Sequence, residues 1–210
     1  ALPIYRVSGG QSFFQRKEIK DVISYLRLLA NPDDDVSLLR VLNTPRRGIG
    51  RKTLEELIET SQRQGGSLYS AISAQLHAGD ATLGKRALAD LATFHDLVEE
   101  YRPRIFRQRQ MAEAVRALVE DIDYFAHLVG EHPNNEKVAK WKHRNIGLFI
   151  EFMESYEKDP DNLSPSPFEF LSRITLDPRD DVDDANDPGK VNIMTIHAAK
   201  GLEHDVVFIA

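Results

Sequence analysis

Cysteine is absent from this chain of 210 residues, which excludes disulfides and thiolate metal sites and agrees with a reducing, cytoplasmic setting. Long hydrophobic runs are absent too. None approaches the roughly 20 residues of a membrane-spanning helix, so no membrane partner is expected. Aromatic residues are sparse and Trp occurs once, yet 41% of the residues are apolar, enough at this length to bury a real core. One further absence is local: no Asp or Glu occurs from Val36 to Leu54, where Arg40, Arg46, Arg47, Arg51 and Lys52 are all basic. The formal net charge of -6 therefore does not exclude a nucleic-acid partner, because opposite charges are segregated along the chain. Arg102, Arg104, Arg107 and Arg109 form a second basic group, and Lys137, Lys140, Lys142 and Arg144 a third; both read most simply as solvated helix faces. Acid collects at Asp177, Asp180, Asp181, Asp183, Asp184 and Asp187, a Pro-punctuated stretch with the composition of a solvated linker.

Both ends read as strand and the middle as helix. Ile4 to Val7 is a short extended run closed by Ser8-Gly9-Gly10. Ile19, Val22, Ile23, Leu26 and Leu29 then mark a helix that Asn31-Pro32 ends, because the residue before proline avoids helical angles. Asp33 to Asp35 can cap a helix with apolar positions Val36, Leu39 and Leu42, stopped by Thr44-Pro45. Leu54, Leu57 and Ile58 place another up to Gly65-Gly66, and Ser67 can cap a short one carrying Leu68, Ile72 and Leu76. From Thr82 to Tyr101 an apolar stripe predicts a long central helix; Val115 to Ile122 predicts the next, with Tyr124, Phe125 and Leu128 as a short continuation. Asn134 can cap a long helix to about Tyr156, with Val138, Trp141, Phe149, Phe152 and Met153 inward, and the last helix holds Phe168, Leu171 and Ile174. Val191 to Thr195 and Val206 to Ile209 read as strands around a polar turn. The expected fold is mainly α, a helical subdomain inserted into a fragment of an α/β domain with short parallel strands at both chain ends. A first residue other than Met and a final apolar run that stops in mid-element lead us to expect a piece of a larger protein.

Two constellations can carry chemistry. Thr195 and His197 sit at the carboxyl end of a predicted parallel strand, where ligands collect in open α/β sheets. The small residues from Ala198 to Gly201 let backbone amides approach an anion, and Glu203 has the carboxylate that accepts ribose hydroxyls. The same residues equally suit a plain strand and turn, and spacing does not choose. The second constellation is Thr44-Pro45-Arg46-Arg47-Gly48-Ile49-Gly50-Arg51-Lys52-Thr53, between two predicted helices. A Gly-hydrophobe-Gly turn leading into helix amides, with arginines beside it, binds phosphate oxygens without reading sequence. The plain alternative is an interhelical turn with solvated arginines.

Three other features fall away. Gly79 to Lys85 fits the first seven positions of a phosphate-binding loop, but Arg86 stands where a Mg²⁺-binding Ser or Thr belongs and no strand precedes it. Asp123, His127 and Glu131 have four-residue spacing and read as an exposed charge ladder rather than a metal site, so no metal is expected on this chain. Trp141, at an interior helical position, reads as core.

Thr195-Ile-His197-Ala-Ala-Lys200-Gly201-Leu-Glu203 resembles motif V of the Rep/UvrD-type superfamily 1 DNA helicases. Gly9-Gly10-Gln-Ser-Phe13-Phe14-Gln-Arg16-Lys-Glu18-Ile19-Lys20-Asp21 is similar to the segment called IVa of that family. Tyr25-Leu26-Arg27 and Asn31-Pro32 continue the match, and Thr44 to Gly50 resembles the family's duplex-contacting Gly-Ile-Gly hairpin. The resemblance implies that 1–30 begins the second RecA-like motor domain, that 31–186 is the inserted, 2B-like helical subdomain with its acidic linker, and that 187–210 returns to the motor domain. It implies an ATP-dependent 3′-to-5′ helicase acting in replication restart or repair, using ATP and Mg²⁺ in the full-length parent. Thr195 and His197 would couple to single-stranded DNA, Gly201 and Glu203 would hold the nucleotide, and Thr44, Arg46, Arg47, Gly48, Ile49, Gly50, Arg51, Lys52 and Thr53 would grip duplex phosphates. Phe13, Phe14 and Arg16 belong to a family segment near the single strand. His204 replaces the Phe usual after the motif's Glu. Walker A, the Asp-Glu pair for Mg²⁺ and the γ-phosphate arginines have no counterpart in these residues, so the chain alone is expected not to turn over ATP. Expected partners are a single-strand/duplex junction, the first RecA-like domain of the same protein, and replication or repair proteins. From the residues alone, a non-enzymatic helix-hairpin-helix DNA-binding module and a helical protein-interaction domain stay open.

Overall fold

The computed structural model describes residues 5–8, 13–78, 83–176, 191–194 and 206–208. Strand β1 is Tyr5–Ser8 and a 3₁₀ turn covers Phe13–Gln15. The helices are α1 Lys17–Ala30, α2 Asp35–Val41, α3 Arg51–Gln64, α4 Leu68–His77, α5 Lys85–Ile105, α6 Met111–Asp121, α7 Tyr124–Glu131, α8 Glu136–Lys158 and α9 Pro167–Leu176, and β2 is Val191–Met194. The chain is thus mainly α. β1 and β2 pair in parallel, with Tyr5 opposite Val191 and Ser8 opposite Met194.

α1 is the hub. It packs against α2, α5, α8 and α9, and it is apolar almost all round, burying Ile19, Val22, Tyr25, Leu26, Leu28 and Leu29. Each such side chain contributes about 1.5–3 kcal/mol against the cost of ordering it. α1 therefore shares one core with the helices that follow residue 30. Around it lie Leu38, Val41, Leu57, Ile72, Leu91, Phe94, Val98, Tyr101, Ile146, Phe149, Met153 and Phe170.

Helix ends are set by short-range chemistry. α1 stops at Asn31, whose backbone N–H bonds the Arg27 carbonyl as the chain turns extended before Pro32. Asp34 caps α2 by accepting from the Ser37 amide. Its neighbour Asp35 reaches across to accept from the Leu68 amide at 2.8 Å, so α2 helps to start α4. α3 ends at Gly65, which adopts φ +64, the left-handed angle that glycine tolerates best. Ser166 caps α9 by accepting from the Glu169 amide, with Pro167 in the first helical position where its missing N–H is harmless.

Buried polar groups join segments far apart in sequence. Asp21, 2% exposed, accepts from Arg40 Nε at 2.7 Å and from the Tyr124 hydroxyl at 2.6 Å, joining α1, α2 and α7. Glu18 accepts from Asn145 Nδ2 at 2.7 Å, and Asn145 Oδ1 accepts in turn from Arg16 at 3.1 Å. Glu157 of α8 accepts from the Met111 and Ala112 amides at 2.7 and 3.2 Å, satisfying the first turn of α6 from another helix.

Several inward expectations are corrected. Val36 and Leu39 are exposed, because α2 turns Leu38, Val41 and Leu42 to the core instead. Ile58 and Phe168 lie at the edges of their helices' apolar faces and are also exposed. Trp141 is 52% exposed; the inward face of α8 is Ala139, Ile146, Phe149, Ile150 and Met153, and Trp141 lies to one side of it under the Arg16 guanidinium. Val206 to Phe208, expected as strand, are exposed and pair with no strand among the described residues. Pro103, beyond the expected end of the long helix, is accommodated in the last turn of α5, and Ile105 after it is buried.

Candidate nucleic-acid interface

The turn from Thr44 to Gly50 is held rigidly from beneath. Asn43 braces it: its side-chain oxygen accepts from the Arg47 amide at 2.7 Å and its nitrogen donates to the Ile49 carbonyl at 3.3 Å. Ile49, 7% exposed, drops its side chain into the core. The Thr44–Pro45 peptide is cis. Gly48 has φ +79, which a Cβ would oppose, and that Cβ would also come within 3.2 Å of the Asp90 carboxylate.

Arg47 does not face outward as expected for a phosphate ligand. Its Nη1 donates to the carbonyls of Val41 at 2.9 Å, Leu42 at 3.2 Å and Pro45 at 3.3 Å. Its Nη2 donates to the Tyr25 hydroxyl at 2.7 Å, and its carbon lies 5.1 Å from the centre of the Phe94 ring. The Val41 carbonyl also accepts from the Thr44 amide at 3.0 Å, and a guanidinium is the side chain best shaped to serve several carbonyls at the end of α2 and in the turn at once. Tyr25 in turn donates to the Thr44 carbonyl. Burial raises its pKa, a push that the charge and hydrogen bond of Arg47 oppose without cancelling. Arg47 therefore sets the shape of the turn.

The outward surface belongs to other residues. Arg46, Gly48, Gly50, Arg51 and Lys52 are exposed, while Thr44 is half-buried and Thr53 is buried. Gly50 precedes α3 in extended conformation and supplies no capping side chain, so no side chain caps the first-turn amides at the positive end of the helix dipole. Arg51 pairs with Glu55 at 2.7 Å, but at 91% and 55% side-chain exposure such a pair contributes little and yields readily to phosphate. The corner can therefore present two or three amides, two glycines without bulk, and the cations Arg46, Arg51 and Lys52 to an anion.

Other expected site residues divide. Phe13 and Phe14 are buried at 2% and 7% exposure and pack edge to face. Arg16 lies between the Phe13 and Trp141 rings, 5.0 Å from each centre. Thr195, His197, Gly201 and Glu203 lie outside the described residues, as do Gly79 to Thr82; Lys85 opens α5. Asp123 caps α7 by accepting from the Ala126 amide, and Glu131 is engaged by Lys17. Among the described residues no three His, Asp or Glu side chains come together as a metal site, and no helix is long and apolar enough to cross a membrane. The sequence reading missed Tyr25 and Asn43 as supports of the turn. Their signal was their neighbourhood: a Tyr on the buried face of α1, and an Asn just before the Pro-containing turn.

Comparison with known proteins identifies the family of the chain. Residues 2–210 match the family model described as UvrD-like helicase C-terminal domain. The chain is 30% identical over 205 residues to the ATP-dependent DNA helicase PcrA of Staphylococcus aureus (strain Mu50 / ATCC 700699), covering 98% of this chain and 27% of that protein. It is 35% identical over 209 residues to the ATP-dependent DNA helicase Rep of Escherichia coli (strain K12), covering 98% of this chain and 30% of that protein. The chain thus spans about three tenths of the length of these relatives. With essentially every residue matched, the chain belongs to the UvrD-like helicase C-terminal domain family.

Proposed function

We propose that this chain is the duplex-engaging part of an ATP-dependent 3′-to-5′ DNA helicase that works in the cytoplasm in replication restart or repair. Residues 1–30 and 187–210 belong to the second RecA-like motor domain, and 31–186 form a helical subdomain inserted in it. The parallel pairing of β1 with β2 supports the insertion, because it returns the chain to the side of its starting strand after the whole helical body. α1 then serves both parts, leading out of the motor strand into the core of the helical body.

Duplex contact rests on one observation: an uncapped helix start, two glycines and three exposed cations meet at one rigid corner of a UvrD-like domain. The α3 amides and Arg46, Arg51 and Lys52 hold phosphate oxygens, while Arg47, Ile49 and Asn43 keep the turn in shape. Phosphate contact of this kind positions DNA without reading its sequence. In the parent, ATP and Mg²⁺ supply the driving hydrolysis; Gly201 and Glu203 hold the nucleotide, and Thr195 and His197 couple it to the single strand, as the family motif implies. The remaining partners are the first RecA-like domain and replication or repair proteins.

Duplex binding by this chain, measured across a salt series, tests the reading. The logarithm of affinity should fall by about 0.9 per log unit of salt for each phosphate neutralised. Changing Arg46, Arg51 and Lys52 together to Ala should lower that slope by about 2 to 3. Salt-independent binding, or an unchanged slope in the triple variant, removes the corner from DNA contact. The chain alone should show no ATP turnover.

A further inference from the structure

The exposed side of α8 combines cations with an aromatic ring. Lys137, Lys140, Trp141 and Arg144 recur at three- and four-residue spacing, opposite the buried face of Ala139, Ile146, Phe149, Ile150 and Met153. Among the described residues Lys137 and Arg144 have no carboxylate partner. Lys140 has only the solvent-exposed Glu136, at 2.9 Å. Trp141 is 52% exposed, although an indole is one of the most costly groups to leave in water. It is nevertheless fixed, because the Arg16 guanidinium lies 5.0 Å from its ring centre and Arg16 is itself anchored by Asn145. A solvated helix face explains the lysines but not a half-exposed ring held at its centre.

We propose, resting on the nucleic-acid reading above, that this side of α8 is a second nucleic-acid surface, specific for unpaired strand. An unpaired base stacks on the exposed part of the Trp141 ring while Lys137, Lys140 and Arg144 hold the phosphates on either side. Aromatic stacking accepts any base, and flanking cations follow the backbone. A base inside a duplex has both faces covered by its neighbours, so the ring selects the displaced strand rather than the duplex.

Trp141 is the only Trp in the chain, so intrinsic fluorescence reports this spot alone. Titration with an oligothymidylate of about 15 nucleotides should quench it, whereas a blunt duplex at the same concentration should not. With a labelled oligothymidylate, Trp141→Ala should weaken binding roughly 5- to 100-fold, and Trp141→Phe should restore part of it. Lys137→Ala with Arg144→Ala, both exposed and free of packing duties, should lower the salt slope by about 1.4. Absence of quenching by single strand overturns the proposal even if the Arg46 corner binds duplex. Loss of duplex binding as well overturns the nucleic-acid reading on which it rests. Equal quenching by polyglutamate overturns it in favour of an acidic protein partner.

Discussion

Arg46 and Arg47 are neighbours of the same type, and the structure gives them opposite consequences on replacement. Arg47→Ala removes hydrogen bonds to three carbonyls and to the Tyr25 hydroxyl. Nη1 has two protons for its three acceptors, so the loss amounts to about three hydrogen bonds from a charged donor. Each is worth about 1.5–3 kcal/mol when buried, but the site is half-exposed and water replaces part of the loss. Tyr25 also keeps the Thr44 carbonyl. A destabilisation of about 3 kcal/mol follows, a fall in Tm of roughly 6–12 °C for a chain of this size. Arg46→Ala, at an exposed position without such bonds, should change stability by less than about 0.5 kcal/mol and act on DNA instead. Thermal and urea unfolding of both variants, paired with duplex binding at two salt concentrations, separates the cases. Equal small stability changes with equal losses of binding would show that the Arg47 guanidinium faces phosphate, and the account of the turn would be wrong.

The remaining predictions concern the buried polar groups. Asp21→Ala leaves Arg40 and the Tyr124 hydroxyl without their shared acceptor and should cost about 3 kcal/mol in urea unfolding. Asp21→Asn, which keeps an acceptor, should cost less. Stability should also fall with acid in two steps. Burial lowers the pKa of His127, whose Nε2 has no hydrogen-bond partner among the described residues, below its ordinary 6.5. The unfolded chain therefore takes up the proton first, and stability declines as pH drops through that value. Burial pushes Glu131 up, but the hydrogen bond and charge of Lys17 outweigh it and the net shift is downward, so its contribution disappears as pH falls below the ordinary 4.5. His127→Gln should abolish the first step and leave the second, measured by urea unfolding from about pH 8 to about pH 3; an unaltered first step would assign it to another group.

What could be read in advance was whatever rests on neighbours in sequence. Asn31-Pro32, Asp34 and Gly65-Gly66 marked helix ends because capping and proline sterics act within a few residues. Periodicity found the long helices but left their rotation loose. In α2 the set Val36, Leu39, Leu42 competes with Leu38, Val41, Leu42, and only the second has the i, i+3, i+4 spacing of one face. Trp141 was misplaced for a related reason: composition says that an indole is buried, whereas a guanidinium 125 residues earlier keeps it at the surface. The basic corner was legible as a corner, since glycine and charge coincide there. The inward turn of Arg47 was not, because its partners Tyr25 and Phe94 come from helices that only the fold brings together.

The carboxylate that Glu157 extends to the first amides of α6 has a kinetic meaning. A helix whose opening turn is stoppered by its own preceding Ser or Asp satisfies those amides within its own segment. α6 has no such residue at Gln110, so its first turn becomes worth forming only when α8 has arrived beside it. The two helices should accordingly gain and lose amide-exchange protection as one cooperative unit, and proteolytic nicking between Pro160 and Pro165 should loosen α6 less than any change that draws Glu157 away.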